Sequence, residues 1–209
     1  MLQEGSWRVR KPKARTEVFL NLPYDPKYKK IFLAYICAAH AFGMTPRVAL
    51  EIAGNRRRLD RIFDLLRSCR YSIHDLSKVQ LDRKKPCTPR FNMPFELGLA
   101  IAWERMKGTH TSFVMEAVHY RLSKSLSDLN GTDPCIHKGT VEGVFREMCN
   151  AFARSTRQPT SEQMWEIYWV VRGRLPLILR QTGARSLFEP SVFRQINVVA
   201  STAAAAITK

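Results

Sequence analysis

Short apolar runs alternating with stretches of helical spacing constrain this chain more than any single motif does. Glu17-Val-Phe-Leu-Asn-Leu22 is almost continuously apolar and stops at Pro23, the pattern of a strand buried on both faces. Residues 26–42 follow with helical spacing, opening at Pro26 and ending before Gly43. Pro46 to Ala53 reads as a second strand, closed by Gly54 and Asn55. Arg57 to Arg70 reads as a helix, with Leu59, Ile62, Phe63, Leu65 and Leu66 at its spacing. Tyr71 to Asp75 is a third strand, and Leu76 to Arg90 a polar loop whose length suits a functional lid. Asn92 to Lys107 is apolar on nearly every side, so the spacing predicts a helix buried against a sheet. Thr111 to Glu116 is a fourth strand. A short helix near 122–129, a weak strand near 135–137 and a helix over 141–154 complete the pattern.

Such alternation predicts a parallel α/β sheet with helices on both faces, and right-handed crossovers make it doubly wound. Residues 1–16 read as a flexible basic tail, 17–154 as the α/β nucleotide-binding domain, and 161–209 as a C-terminal helical extension reached through the 155–160 linker. Trp165, Tyr168, Trp169 and Val171 give the first helix of the extension a broad apolar face. It either covers the α/β core or meets a partner, a second copy included. The longest apolar run, Ile31 to Phe42, is too short for a bilayer, which takes roughly 20 residues. No apolar segment follows the basic start, so a soluble, cytoplasmic protein without a membrane partner is expected. Five scattered cysteines without a C-x-x-C pair disfavour disulfides and zinc and fit a reducing compartment. The net charge of +16 favours polyanionic or phosphate-bearing ligands. Nucleic acid is one such partner, but no helix carries a continuous basic stripe with interleaved aromatics.

Open parallel sheets bind ligands beyond the carboxyl ends of their strands. That rule gathers Asn21, Tyr24 and Asp25 after strand 1, Glu51 after strand 2, His74, Asp75 and Ser77 after strand 3, and Asn92 and Glu96 at the start of the next helix. Each has a plainer alternative. Asp25 before Pro26 suits a helix N-cap, Tyr24 a packed loop aromatic, Asp75 and Ser77 a turn, and His74 an ordinary strand position. Glu51 ends its strand where a carboxylate can accept from ribose hydroxyls. Glycine-rich dinucleotide and P-loop fingerprints are absent, which disfavours those enzymes. Glu96 is either a first-turn glutamate favoured by the helix dipole or a buried carboxylate with a purpose, because Phe95, Leu97, Leu99, Ala100 and Ile101 surround it with apolar residues. Gly98 leaves room beside it.

Val18-Phe-Leu-Asn-Leu-Pro-Tyr-Asp25, Pro46-Arg-Val-Ala-Leu-Glu51, Cys69-Arg-Tyr-Ser-Ile-His-Asp-Leu-Ser77 and Pro89-Arg-Phe-Asn-Met-Pro-Phe-Glu-Leu-Gly98 together resemble the nucleoside 2-deoxyribosyltransferase-like family, relatives of the TIR domains. The two long motifs resemble those of a bacterial subgroup with a helical carboxyl-terminal extension, and Glu-Leu-Gly is the piece shared with the transferases and nucleotide N-glycosidases. The resemblance implies a flavodoxin-like fold and cleavage of an N-glycosidic bond in a nucleotide or NAD-like substrate, in a pocket often completed by a neighbouring subunit. It implies Glu96 as the nucleophile, Tyr24 as a positioner of sugar and nucleophile, Asp75 as a ligand contact, and Asp60 as the aspartate of the preceding helix. The chain departs from the transferases after strand 1, where Asn-Leu-Pro-Tyr-Asp replaces a run of small residues. In this reading Asp75 or Asp60 is the acid or base, Arg47 and Arg90 hold phosphate, and neither metal nor bound cofactor is needed. A non-catalytic nucleotide sensor with the same pocket and a basic nucleic-acid-binding protein are the alternatives.

Overall fold

A computed structural model of the protein describes residues 16–51, 57–78, 85, 87–129 and 131–207. The basic tail through residue 15, the turn at Gly54 and Asn55, and residues 79–84 and 86 of the long loop lie outside these. Five strands, β1 (Glu17–Asn21), β2 (Thr45–Arg47), β3 (Tyr71–Asp75), β4 (Thr111–Glu116) and β5 (Cys135–Ile136), form one sheet in the order β2-β1-β3-β4-β5. All neighbours pair in parallel, with Leu20 opposite Ile73 and Asn21 opposite His74. This is a flavodoxin-like α/β sheet. Its winding reverses between β1 and β3, which opens a crevice beyond their carboxyl ends.

The strands are short because each is fully enclosed rather than amphipathic. Val18, Phe19 and Leu20 are all 0% exposed. Strand β2 is shorter than its apolar run. Pro46 offers no N–H, and the chain turns after Arg47 because Glu51 accepts from the Val48 backbone N–H at 2.7 Å, closing a 3-10 turn over Ala49–Glu51.

Helices α1 (Lys29–Ala41) and α5 (Val141–Ala151) cover one face, whereas α2 (Arg58–Ser68), α3 (Asn92–Lys107) and the short α4 (Arg121–Ser125) cover the other. A 3-10 turn over Pro26–Tyr28 leads into α1, and its N-cap Asp25 accepts from the Lys27 backbone N–H at 2.8 Å.

Every residue of α1 from Ile31 to Ala41 is buried. Such a helix needs neighbours on all sides, and α6 (Ser161–Thr182) and α7 (Pro190–Ile207) supply the outer ones. One continuous core runs from Val18 and Leu20 through Phe32 and Tyr35 to Tyr168, Phe193 and Ala204. The C-terminal helices therefore complete the α/β core. Trp165 lies edge-on to Phe145 of α5 at 5.2 Å, and Thr160 and Gln163 cap α6 reciprocally. No helix among the described residues is long and apolar enough to cross a membrane.

Candidate functional site

Side chains alternate across a strand, so β3 splits its polar residues between the two faces of the sheet. Ser72 and His74 join Phe19 on the α2/α3 face, where His74 meets Phe19 edge-on at 5.9 Å. Asp75 joins Ile73 on the α1/α5 face. The two carboxylates that the sequence brings to one rim therefore belong to different clusters.

Glu96 sits in the first turns of α3 with only 4% exposure. Arg58, at the start of α2, donates from Nε to Glu96 Oε1 at 3.0 Å and places Nη2 3.0 Å from the same oxygen. Glu96 Oε2 is buried and has no hydrogen-bond partner among the described residues. Burial pushes the Glu96 carboxyl above the usual glutamate range, and Arg58 with the nearby Asn21 amide offsets only part of that. Tyr24 completes the cluster. Burial raises its hydroxyl, with Arg58, Glu96 and Glu51 all within electrostatic reach. Its ring is braced by Phe32 of α1 at 6.1 Å and by Phe188, between α6 and α7, at 5.8 Å.

Beside this cluster a hollow of about 150 Å³ is lined by Tyr24, Arg58, Lys78, Arg90, Asn92 and Met93. Arg58 thus borders the hollow and holds Glu96 at once. Its side chain is 45% exposed. Phe91 and Phe95, 67% and 57% exposed, stand at the same end of α3. That corrects the expectation of a helix buried on nearly every side: only Met93, Glu96, Leu97 and Ala100 of α3 are buried, because the sheet covers it from one side alone. Among the described residues nothing lies within 4 Å of where a Cβ on Gly98 would stand.

Asp75 is the hub of the opposite face. It is fully buried and accepts from the hydroxyls of Tyr28 and Tyr35, the latter at 2.8 Å, and from the Ser77 backbone N–H at 2.9 Å. His137 Nε2 lies 2.9 Å away. His137 Nδ1 accepts from the Gly139 backbone N–H at 3.0 Å, so the ring hydrogen sits on Nε2 and points at Asp75 and Ser77 Oγ. Burial alone would raise this carboxyl, but the donors of His137, Ser77 and Tyr28 outweigh it and hold Asp75 below the usual range. Gly143 is required here, since a Cβ would lie 1.9 Å from the His137 carbonyl oxygen. With four donors around it, Asp75 ties β3 to α1 and β5 and does not face Glu96.

Other residues read from the sequence are placed as follows. Arg47 pairs with Glu17 at 2.7 Å and with Glu51 at 3.2 Å, so its guanidinium is already engaged. Burial raises the Glu51 carboxyl, with Val48 N–H and Arg47 pulling against it. Asp25 caps its turn and lies 4.0 Å from Lys78. Ser77 belongs to the Asp75 cluster, Arg90 and Asn92 to the hollow, and Asp60 is exposed on α2. Sequence reasoning missed Arg58 and Lys78 because their roles depend on which helix ends meet. It also missed His137, whose only signal was a histidine at the end of a weak strand.

A five-stranded parallel sheet carrying a buried, half-partnered glutamate at its switch point defines the class of this molecule as an α/β protein with a polar crevice at the sheet's carboxyl edge. No family model matches the chain, and no curated protein is significantly similar to it.

Proposed function

We propose that the protein cleaves the N-glycosidic bond of a nucleotide or NAD-like substrate, with Glu96 as nucleophile. The observation that carries this reading is Glu96 Oε2, an oxygen taken out of water without a partner beside a cation-lined hollow. A buried unpartnered carboxylate oxygen costs stability, and such groups concentrate where chemistry requires them. Arg58, Lys78 and Arg90 suit the phosphate, and the exposed ring of Phe91 offers a face for the base.

In this reaction Arg58 turns from Glu96 toward the phosphate as substrate enters. Glu96 Oε2 then attacks the anomeric carbon, the carbon–nitrogen bond breaks, and its electron pair leaves on the base; a nucleotide's base takes a proton from water, whereas the cationic ring of an NAD-like substrate departs neutral and takes none. Water attacks the glycosyl ester next, releasing the sugar phosphate, a proton and the free carboxylate. Tyr24, with its hydroxyl raised by burial, stays protonated and donates toward sugar or nucleophile. Asp75 faces the other side of the sheet and Asp60 is exposed on α2, so in this reading the acid role read for them from the sequence passes to water.

The test is chromatographic detection of free base after incubation with nucleoside monophosphates and with NAD. We expect release by the wild type and a loss on the order of 10³-fold or more in Glu96→Gln. Equal rates for the two proteins would remove Glu96 as nucleophile.

A further inference from the structure

Behind Glu96 a row of polar side chains crosses the α2/α3 face of the sheet. Asn21 Nδ2 lies 3.1 Å from His74 Nδ1, and His74 Nε2 lies 3.0 Å from Ser72 Oγ. Ser72 Oγ lies 2.8 Å from His110 Nε2, and His110 Nδ1 lies 2.9 Å from the Cys69 carbonyl oxygen. All four side chains are buried, with Ser72 and His74 at 0% exposure, Asn21 at 4% and His110 at 3%. We infer that Asn21, His74, Ser72 and His110 form one polarised hydrogen-bond chain that holds the Asn21 amide donor-first against Glu96, making all four positioning residues of the site.

The direction follows from the far end. A carbonyl oxygen only accepts, so His110 carries its hydrogen on Nδ1, and in the neutral ring Nε2 is then an acceptor. Ser72 has one hydroxyl hydrogen and two acceptors in reach, His110 Nε2 at 2.8 Å and Ser112 Oγ at 3.3 Å; the shorter contact takes it, so the Ser72 oxygen accepts from His74 Nε2–H. His74 Nδ1 is therefore the acceptor that faces Asn21. That orientation turns the Asn21 amide nitrogen, rather than its oxygen, inward. The second hydrogen of the same nitrogen is left for the Glu96 carboxylate, whose ionised form the Asn21 amide favours. An amide carries two donors on one uncharged nitrogen, which suits an asparagine at the end of β1 to this double role. Burial holds His74 neutral, with its ionisation pushed down to about 3, so His74 keeps one donor and one acceptor nitrogen.

The catalytic meaning of the chain rests on the glycosidase reading of Glu96, whereas its polarity does not. Two-bond nitrogen–proton NMR of the histidine rings tests the polarity directly. We expect the hydrogen on Nε2 in His74 and on Nδ1 in His110; a hydrogen on His74 Nδ1 would overturn the inference. Carbon-detected titration of the Glu96 carboxyl, faced by Arg58, Asn21 and Tyr24, tests the positioning. His74→Leu should favour protonated Glu96 roughly tenfold at a given pH. His74→Asn, which returns an acceptor to Asn21, should restore most of the wild-type titration. Ser72→Ala, the milder variant if His74→Leu does not fold, should leave His74 a mixture of tautomers and move Glu96 the same way. An unmoved Glu96 in the folded variants would sink the proposal. Should no nucleotide release its base while tautomers and titration behave as expected, the glycosidase reading falls and the positioning chain stands.

Discussion

At Glu96 the requirements of stability and of chemistry conflict, and the conflict has a sign. Its folded-state pKa is raised by burial, so its contribution favours the fold below the ordinary glutamate value and is lost as pH rises through the folded value. Glu96→Gln keeps the shape and removes the charge. We expect it to melt on the order of 2–4 °C higher than wild type at neutral pH, with the difference shrinking toward pH 4, as calorimetry across a pH series would show. A lower melting temperature at every pH would mean that the Arg58 contact outweighs burial. Asp75 behaves oppositely. Its folded-state pKa is depressed, so it stabilises the protein above the ordinary aspartate value of 3.8 and that contribution is lost as pH falls through the folded value below it. Asp75→Ala strands the Tyr28 and Tyr35 hydroxyls and the His137 ring hydrogen, and we expect a loss of about 3–5 kcal/mol in urea denaturation at neutral pH. Near-wild-type stability there would deny it the role of hub. The sequence places both carboxylates at the carboxyl edge but not on their faces. Facing depends on pleat parity at the strand's last residue, and the switch from Asp75 to His74 is a shift of one position.

Elements were legible where an apolar run had a single solution. Strands β1, β3 and β4 and helix α3 fall where their patterns place them, because a short run of apolar residues between helices fits only a covered strand. Strand β2 did not, since its run continues past Arg47 while a side chain, Glu51, turns the backbone. Helix α1 shows what the pattern could not give. Its all-round apolarity demands a second layer, yet which segment forms that layer is a question of tertiary contact. We expect deletion of α7 to leave a protein with retained far-ultraviolet but weakened near-ultraviolet circular dichroism, because Phe193, Ile196 and Ala200 close the outer side of α1. Native near-ultraviolet signal in the truncated chain would show that α1 tolerates water on that side.

Across the whole molecule, the extension and the site are mechanically joined, since Phe188 supports the ring of Tyr24 that borders the hollow. The charge of +16 acts at the same scale and independently of that joint. We expect any duplex DNA binding to weaken at least tenfold between about 50 and about 200 mM salt. It should be unchanged in Glu96→Gln, as electrophoretic mobility shifts would record. Duplex binding that vanished in that variant would instead couple the basic surface to the crevice.

The enclosure of α1 also sets an order of events at the ribosome. The sheet strands and their first helices emerge before α7, and until α7 follows, the flank of α1 that carries Phe32 lacks Phe193, its edge-on neighbour at 6.3 Å. Nascent chains stalled before α7 would present that flank to chaperones, and α7 is the helix that withdraws it.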